Sequence, residues 1–524
     1  LEEGISRAVE LHLSLKKFYL DLNAEDLKRE QPIDEIIGGV LDRQGIKELK
    51  ISFSCLKTLP SLLHHNLDGL TAVTKDNKII GFELGDTTSK ILGLAVDIGT
   101  TTVVGYLFDL NQGKLIAVGS ALNEQSVHGS DVISRIDHAL HVPDGLSQLQ
   151  KLVVDTINRV IGNLCRSNNI SSNDIYSLVM VGNTTMAHLF LGMSPLFLSR
   201  FPYNPLTSKA LGVAPQALGI NMNGLGRVSC LPLVSGFIGS DTVGVVLSTG
   251  LHRSRVPKLA IDIGTNGEIV LTDGKVMVAC SCAAGPAFEG AHIQCGMRGT
   301  SGAIDRVDFV KSKVRCHVID EAPAKGICGS GLVDAVADML KAGLIAGDGR
   351  LLTREEVPNS PYARLLTHGK CNQFVVSSSK QAGGAKDVVI TQKDIRELQL
   401  AKGAMMAGIR ILMDRLGLGE EDMREVYLAG AFGNYVRPER ALAIGLLPAF
   451  PKAKITQVGN AAGTGAKMAL LSTRAMKEAG KIAEQIEYVE LVKIPDFQDQ
   501  FIEEMRFPDE SEKTFTQRKD SALT

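Results

Sequence analysis

Leu94-Ala95-Val96-Asp97-Ile98-Gly99-Thr100-Thr101-Thr102 and Leu259-Ala260-Ile261-Asp262-Ile263-Gly264-Thr265-Asn266-Gly267 are two wordings of one phrase. Each is an apolar run that ends in an acid, turns on a glycine and continues in small hydroxyl or amide residues. A β-hairpin turn of this kind can aim free backbone N–H groups and hydroxyls at a phosphate, and the neighbouring Asp can hold a hydrated magnesium ion. One copy is compatible with an ordinary tight turn. Two copies, one in each half of the chain, point to a nucleotide gripped from both sides.

Outward from the first copy, Leu92–Ile98 reads as a strand, Thr102–Asp109 as its return, and Asn111-Gln112-Gly113 as the next turn. Helices are predicted near 129–140 and 145–168. A buried strand Tyr176–Val181 runs into Gly182-Asn183-Thr184 and a helix Thr185–Phe190. The second copy repeats this opening with strands 258–263, Glu268–Thr272 and Lys275–Ala279. Later helices are expected at 330–344, 394–416 and 461–473. The duplication implies a doubled α/β fold with a cleft between halves. Upstream, Phe18–Leu22 and Leu49–Phe53 read as strands, Ile33–Leu41 as a helix and Leu70–Thr74 with Ile79–Glu83 as a hairpin: a small α+β module ending at the linker Gly85–Ser89. Five segments result: a leader at 1–15, the module at 16–90, halves at 91–257 and 258–500, and a C-terminal tail at 501–524 whose last twenty residues read as polar and loose.

Composition narrows the classes. With 524 residues, 44% hydrophobic and 22% charged, the chain has ample length for large cores and the balance of a soluble protein. A net charge of −2 excludes a generally basic nucleic-acid binder. No apolar run reaches membrane-span length, and the start, Leu1-Glu2-Glu3-Gly4-Ile5, has no export-signal pattern. Nine scattered cysteines point to reduced thiols and a cytoplasmic location.

Four further stretches carry possible chemistry. Gly182-Asn183-Thr184-Thr185 suits a water-positioning site or a simple helix cap. Gly326–Gly331 reads as a loop before a helix, open to a ligand or merely tight. Leu428–Asn434 runs a buried strand into two glycines able to pass beneath an adenine, and Gly459–Ala466 opens a helix of small residues suited to close helix contact. Gln399 and Lys402, three apart on a helix, share a face that is solvated or packs on adenosine. Cys280, Cys282 and Cys295 lack a fourth partner at ligand spacing and read as small core residues.

In their order along the chain these elements resemble the actin-like ATPase superfamily of sugar kinases, heat-shock chaperones and actin. Gly93–Val103, Gly129–Ile136, Val181–Met186, Asp262–Glu268, Cys282–Gly290 and Ala429–Gly433 look more narrowly like the reductive activators of corrinoid enzymes, with the 16–90 module similar to that family's middle domain. The resemblance implies an α/β fold of duplicated RNase-H-like domains around a nucleotide cleft. ATP or ADP with Mg²⁺ would bind between 93–257 and 258–490. Gly99, Thr100, Thr101, Thr102, Gly264, Thr265 and Asn266 would hold phosphates, and Asp97 and Asp262 would orient the metal through water. Asn183 and Glu268 are further candidates for placing the attacking water. Adenosine would lie against Gly430, Ala431 and Gly433, with Lys402, Gly329, Ser330 and Gly331.

Such activators use ATP to drive an electron onto the cobalt of a partner corrinoid (iron–sulfur) protein, taking Co(II) to Co(I). Many carry an N-terminal [2Fe–2S] ferredoxin domain. This sequence has no Cys-x4-Cys-x2-Cys cluster, so no iron–sulfur cluster is expected in these residues, and the start without Met suggests that such a domain preceded them. An electron-donor protein is then a second partner, and a homodimer is compatible with the sequence. A small-molecule kinase of the same superfamily and a nucleotide-switched scaffold remain open as alternatives.

Overall fold

Apolar runs of six to eight residues, broken by the glycine turns, build two sheets of the same design. The computed structural model describes residues 9–22, 25–28, 30–47, 49–65, 69–379 and 386–508. By its contacts the described chain divides into two units, one holding residues 9–248 with Ala462–Glu484 and the other Thr249–Ala461 with 485–508.

In the first unit the six-stranded sheet runs, edge to edge, Lys114–Leu122, Thr102–Asp109, Leu92–Ile98, Ile175–Gly182, Arg227–Cys230 and Leu211–Val213. The first three strands form an antiparallel meander, and Ile175–Gly182 then pairs parallel to the opening strand. A return to a parallel neighbour needs a long crossover, supplied here by the helices Val132–His141 and Gly145–Ser167. The longer helix buries Leu149, Val153, Ile157, Val160 and Leu164 against the meander.

The small α+β module also belongs to this unit. Its sheet has Leu15–Leu20, Leu70–Lys75, Lys78–Leu84 and the two-residue Lys50–Ile51, over a separate core including Leu20, Ile37, Leu41, Leu59 and Ile79. Asp76 and Asn77 both take positive φ at the hairpin turn, the conformation a two-residue hairpin demands. The strand expected through Phe53 stops at Ile51. The Ser52 carbonyl accepts from the Leu56 N–H and opens a helix, Phe53–His65, that the apolar pattern had concealed. The expected leader is anchored where it is described: His12 exchanges backbone bonds with Leu471 and Thr473.

The helix Ala461–Leu471 contributes most of its length to the first unit. A β-carbon on its Gly465 would lie 2.3 Å from the Gly244 Cα, so two glycines let this helix cross Ser240–Thr249 at backbone distance. The close helix contact expected of Gly459–Ala466 is therefore present, and residues 462–484 pack with the first unit rather than with the 258–500 half.

The second unit repeats the design: Lys454–Gly459, Glu425–Ala429, Lys258–Ile263, Gly267–Thr272, Met277–Cys282 and Ile486–Tyr488. The meander again starts at the Asp-x-Gly-Thr strand, which again takes a parallel neighbour, Glu425–Ala429. The 25-residue helix Gln392–Leu416 starts at a Thr391–Asp394 capping box and lies over the meander. The tail expected from 501 begins inside a helix, Phe497–Glu504, that packs on Gln392–Leu416, and Phe507, among the last twenty residues expected to be loose, is instead buried. Apolar Phe497, Phe501 and Phe507 explain the docking; residues 509–524 of that tail lie outside the described ones.

Candidate functional site

Asp97 is the penultimate residue of its strand, in register with Val104 and Val181 and half-buried. The Gly99 N–H donates to Thr102 O at 3.0 Å and closes the turn. Three turn carbonyls are tied inward: Gly99 O accepts from Asn123 Nδ2 at 2.9 Å, Thr101 O from the Asn123 N–H at 2.9 Å, and Thr100 O from Arg135 Nη2 at 2.5 Å. Carbonyls would repel an anion, so binding them behind the turn favours a face suited to phosphate.

Asn183 is the helix cap that its motif allowed, and it also reaches the first hairpin. Its Oδ1 accepts from the Met186 N–H at 2.9 Å and caps the helix Thr184–Leu191, while its Nδ2 donates to Thr100 Oγ1 at 3.3 Å. The Ser240 hydroxyl bridges the Gly182 N–H and carbonyl at 3.0 and 2.9 Å, which brings the start of the helix Ser240–Thr249 to this segment. Next to it stands Asp241, absent from the sequence-based candidates. Burial pushes its carboxyl up to about 6, partly opposed by bonds from Thr242. An acid in the first turn of an otherwise apolar helix, after Gly239-Ser240, was the available signal.

In the second unit, Gly264 N–H donates to Asn266 O at 3.0 Å to close the turn. Asp262 faces Glu268 across the strand pair, and Glu268 accepts from Ser281 Oγ at 3.3 Å. Thr265 donates its hydroxyl to Glu289, at the end of the turn Pro286–Glu289. Glu289 is a second carboxylate at this hairpin that the sequence did not single out, although it closes the Cys282–Gly290 phrase. Gly430 has φ +85°, and a β-carbon there would lie 2.4 Å from Asp262 Oδ1. The glycine segment expected to carry adenosine therefore begins against the acid of the second hairpin, and Phe432 stacks on Phe288 of the Glu289 turn at 4.5 Å.

Just past this segment lies a cavity of about 140 Å³ lined by Ser330, Asn434, Tyr435, Arg437, Gln457 and Asp305, among others. Ser330 thus shares this cavity with the residues that follow the 430–433 segment, whereas Gly329 and Gly331 do not line it. Gly329–Lys341 is helix from its first residue rather than the expected loop. A β-carbon on Gly329 would meet Phe288 O at 2.0 Å and one on Gly331 would meet Ile304 O at 2.3 Å, so these glycines serve packing. Lys402 is also turned elsewhere. Its buried ammonium donates to Arg506 O at 2.5 Å and lies over the Phe507 ring, and burial lowers its pKa to about 8. The docked C-terminal helix covers the helix face that the sequence left open.

Arg437 forms the cavity's charged wall. It bonds Asp334 at 2.5 Å and Asp308 at 2.8 Å, and Arg440 bonds Asp308 at 3.0 Å and also Asp338. Burial alone would raise the Asp308 carboxyl, yet the two guanidiniums outweigh it and hold it down. At the more deeply buried Asp334 desolvation wins and its carboxyl is raised.

The comparisons with known proteins address the whole chain. Residues 257–519 match the family model described as the C-terminal, ASKHA domain of RACo, and 92–254 match the RACo middle region. The chain is 38% identical over 443 residues to the corrinoid activation enzyme RamQ of Eubacterium limosum, covering 84% of this chain and 74% of that protein. The chain belongs to the RACo family of corrinoid activation enzymes. Its second half accordingly carries the actin-like ASKHA fold. The RACo middle-region description falls on 92–254, not on the 16–90 module expected to bear it. A further relative, the [Co(II) methylated amine-specific corrinoid protein] reductase of Methanosarcina barkeri, is 26% identical over 427 residues, 75% of this chain and 72% of that one. The solved structure of a reductive activator for corrinoid, iron–sulfur protein superposes with a TM-score of 0.85 at 36% identity, covering 97% of this chain and 81% of that one.

Within this RACo chain Cys280 and Cys282 are buried under Gln392–Leu416, and burial raises the Cys280 thiol well above its ordinary range, as suits core packing. Among the described residues no three His, Cys, Asp or Glu side chains converge to hold a metal ion, and no helix is long and apolar enough to cross a membrane.

Proposed function

We propose that this RACo-family chain couples hydrolysis of Mg-ATP to reduction of a Co(II) corrinoid on a partner protein to Co(I). The observation that carries the reading is the recurrence of the Asp-x-Gly-Thr turn at the same place in both sheets of a chain 38% identical to RamQ. Cobalt gains one electron. ATP hydrolysis transfers the γ-phosphoryl group to water and supplies free energy but no electron, so a separate donor protein delivers it.

Amides and hydroxyls of Gly99–Thr102 and Gly264–Asn266 hold the phosphates in this reading. The carboxylates of Asp97 and Asp262 are hard oxygen donors that fit hydrated Mg²⁺, which neutralises charge on the transferring phosphoryl group. Asn183, fixed against Thr100, and Glu268, opposite Asp262, orient the attacking water. Adenosine takes the cavity after Gly430, Ala431 and Gly433, with Ser330, Asn434 and Tyr435 on its walls. All nine cysteines are free thiols, which fits a cytoplasmic setting.

The test is anaerobic. The chain, Mg-ATP and a strong chemical reductant are mixed with a corrinoid protein in the Co(II) state, and Co(I) is followed by corrinoid absorption. ATP-dependent Co(I) above a control lacking the chain supports the reading. No such signal, together with phosphorylation of a sugar or short-chain acid, establishes the kinase alternative.

A further inference from the structure

Arg135 is completely buried, yet every acceptor on it is neutral: Thr100 O at 2.5 Å, Gly129 O at 3.0 Å, Gln125 Oε1 at 3.1 Å and Met186 Sδ at 3.2 Å. Among the described residues no carboxylate reaches it as an ion pair. Asp131, one helical turn earlier, spends its carboxylate on the Ser134 N–H at 2.9 Å as the helix cap. Asp131 therefore acts on the guanidinium only through space, and its charge does not offset the cost of burial; a buried cation so weakly balanced is costly to folding, which leaves room for a further anion outside the chain's own side chains. The guanidinium touches the back of the Gly99–Thr102 turn through the Thr100 carbonyl. Burial lowers its pKa to about 10, which leaves it charged at neutral pH.

We propose that Arg135 is a positioning residue of the first hairpin whose charge, only partly offset by Asp131, is balanced by the nucleotide's phosphates and favours the more highly charged nucleotide. The proposal rests on the reading that this turn binds phosphate, and deepens it. The guanidinium never touches the ligand. It pulls the Thr100 carbonyl away from the ligand face and adds a fixed positive charge one peptide behind it. Attraction across that distance, poorly screened by the buried surroundings, grows with each charge on the ligand.

Calorimetry on the full chain with Mg²⁺ tests this using ATP, ADP and adenosine. Arg135→Met is expected to weaken ATP on the order of tenfold or more, ADP less, and adenosine not at all. Arg135→Lys, which keeps the charge, is expected to retain most of the ATP affinity. Gln125→Glu sets a carboxylate beside Nη1 and is expected to give the same charge-ordered loss with Arg135 still present, a reading that survives if Arg135→Met does not fold. A merely structural role would weaken all three ligands together. That result, or unchanged ATP affinity in both Arg135→Met and Gln125→Glu, overturns the proposal. Failure of the wild-type chain to bind any of the three ligands overturns the phosphate reading of the turn itself.

Discussion

Gly430 and Asp262 meet where two parallel strands end: a β-carbon on the glycine would stand 2.4 Å from the Asp262 carboxylate. The acid of the second hairpin therefore packs directly on a residue far along the chain that makes room for it by having no side chain.

Gly430→Ala follows directly from that contact. The new methyl collides with Oδ1, and φ +85° is strained for alanine. A loss of about 1–3 kcal/mol in stability is expected, with ATP turnover down at least about tenfold because the carboxylate is displaced. Thermal melting and steady-state phosphate release check both halves.

Asp97→Asn and Asp262→Asn separate charge from shape. Each keeps the side chain's size at a half-buried strand end, so melting is expected to stay near that of the wild type. Turnover is expected to fall on the order of a hundredfold or more, since phosphoryl transfer depends on placed charge. Near-normal hydrolysis in both variants would remove these residues from the site.

Arg437→Ala leaves Asp334, itself buried, without its strongest partner. A loss of about 3 kcal/mol is expected in urea unfolding at neutral pH. The loss shrinks as pH falls, because the raised Asp334 carboxyl takes up a proton and sheds the unpaired charge. A pH-independent loss would mean that packing, not charge, holds this cluster.

Asp241 gives a second dependence on pH. Its folded-state pKa, about 6, lies above the ordinary carboxyl value, so the stability it permits is complete only below that ordinary value and is lost as pH rises through about 6. Asp241→Asn abolishes that loss. The variant is expected to gain on the order of 2 kcal/mol at pH 8, allowing for partial solvent screening, and less at pH 5. Equal urea midpoints for the two proteins at pH 8 would contradict the assigned burial.

The strands and long helices were readable because apolar periodicity reports burial on one face, as in Gly145–Ser167 and Gln392–Leu416. The pattern failed where a local bond competed with it, as when Ser52 started a helix inside an apparent strand. It also failed where a remote segment supplied the partner. Lys402 looked like an exposed or adenosine-facing residue until the C-terminal helix covered it.

Sequence by itself determined the duplicated hairpins, the α/β class and the RACo family resemblance, since those depend on short runs whose meaning is local: an acid before a glycine turn, repeated. Tertiary structure decided which groups stand beside those turns. Arg135 behind Thr100, Glu289 on Thr265, Gly430 against Asp262 and Arg437 on Asp334 join residues brought together by chain crossings, helix packing and sheet pairing. The free energy of such contacts depends on burial and distance in space, and neither quantity is written in the spacing of residues along a chain.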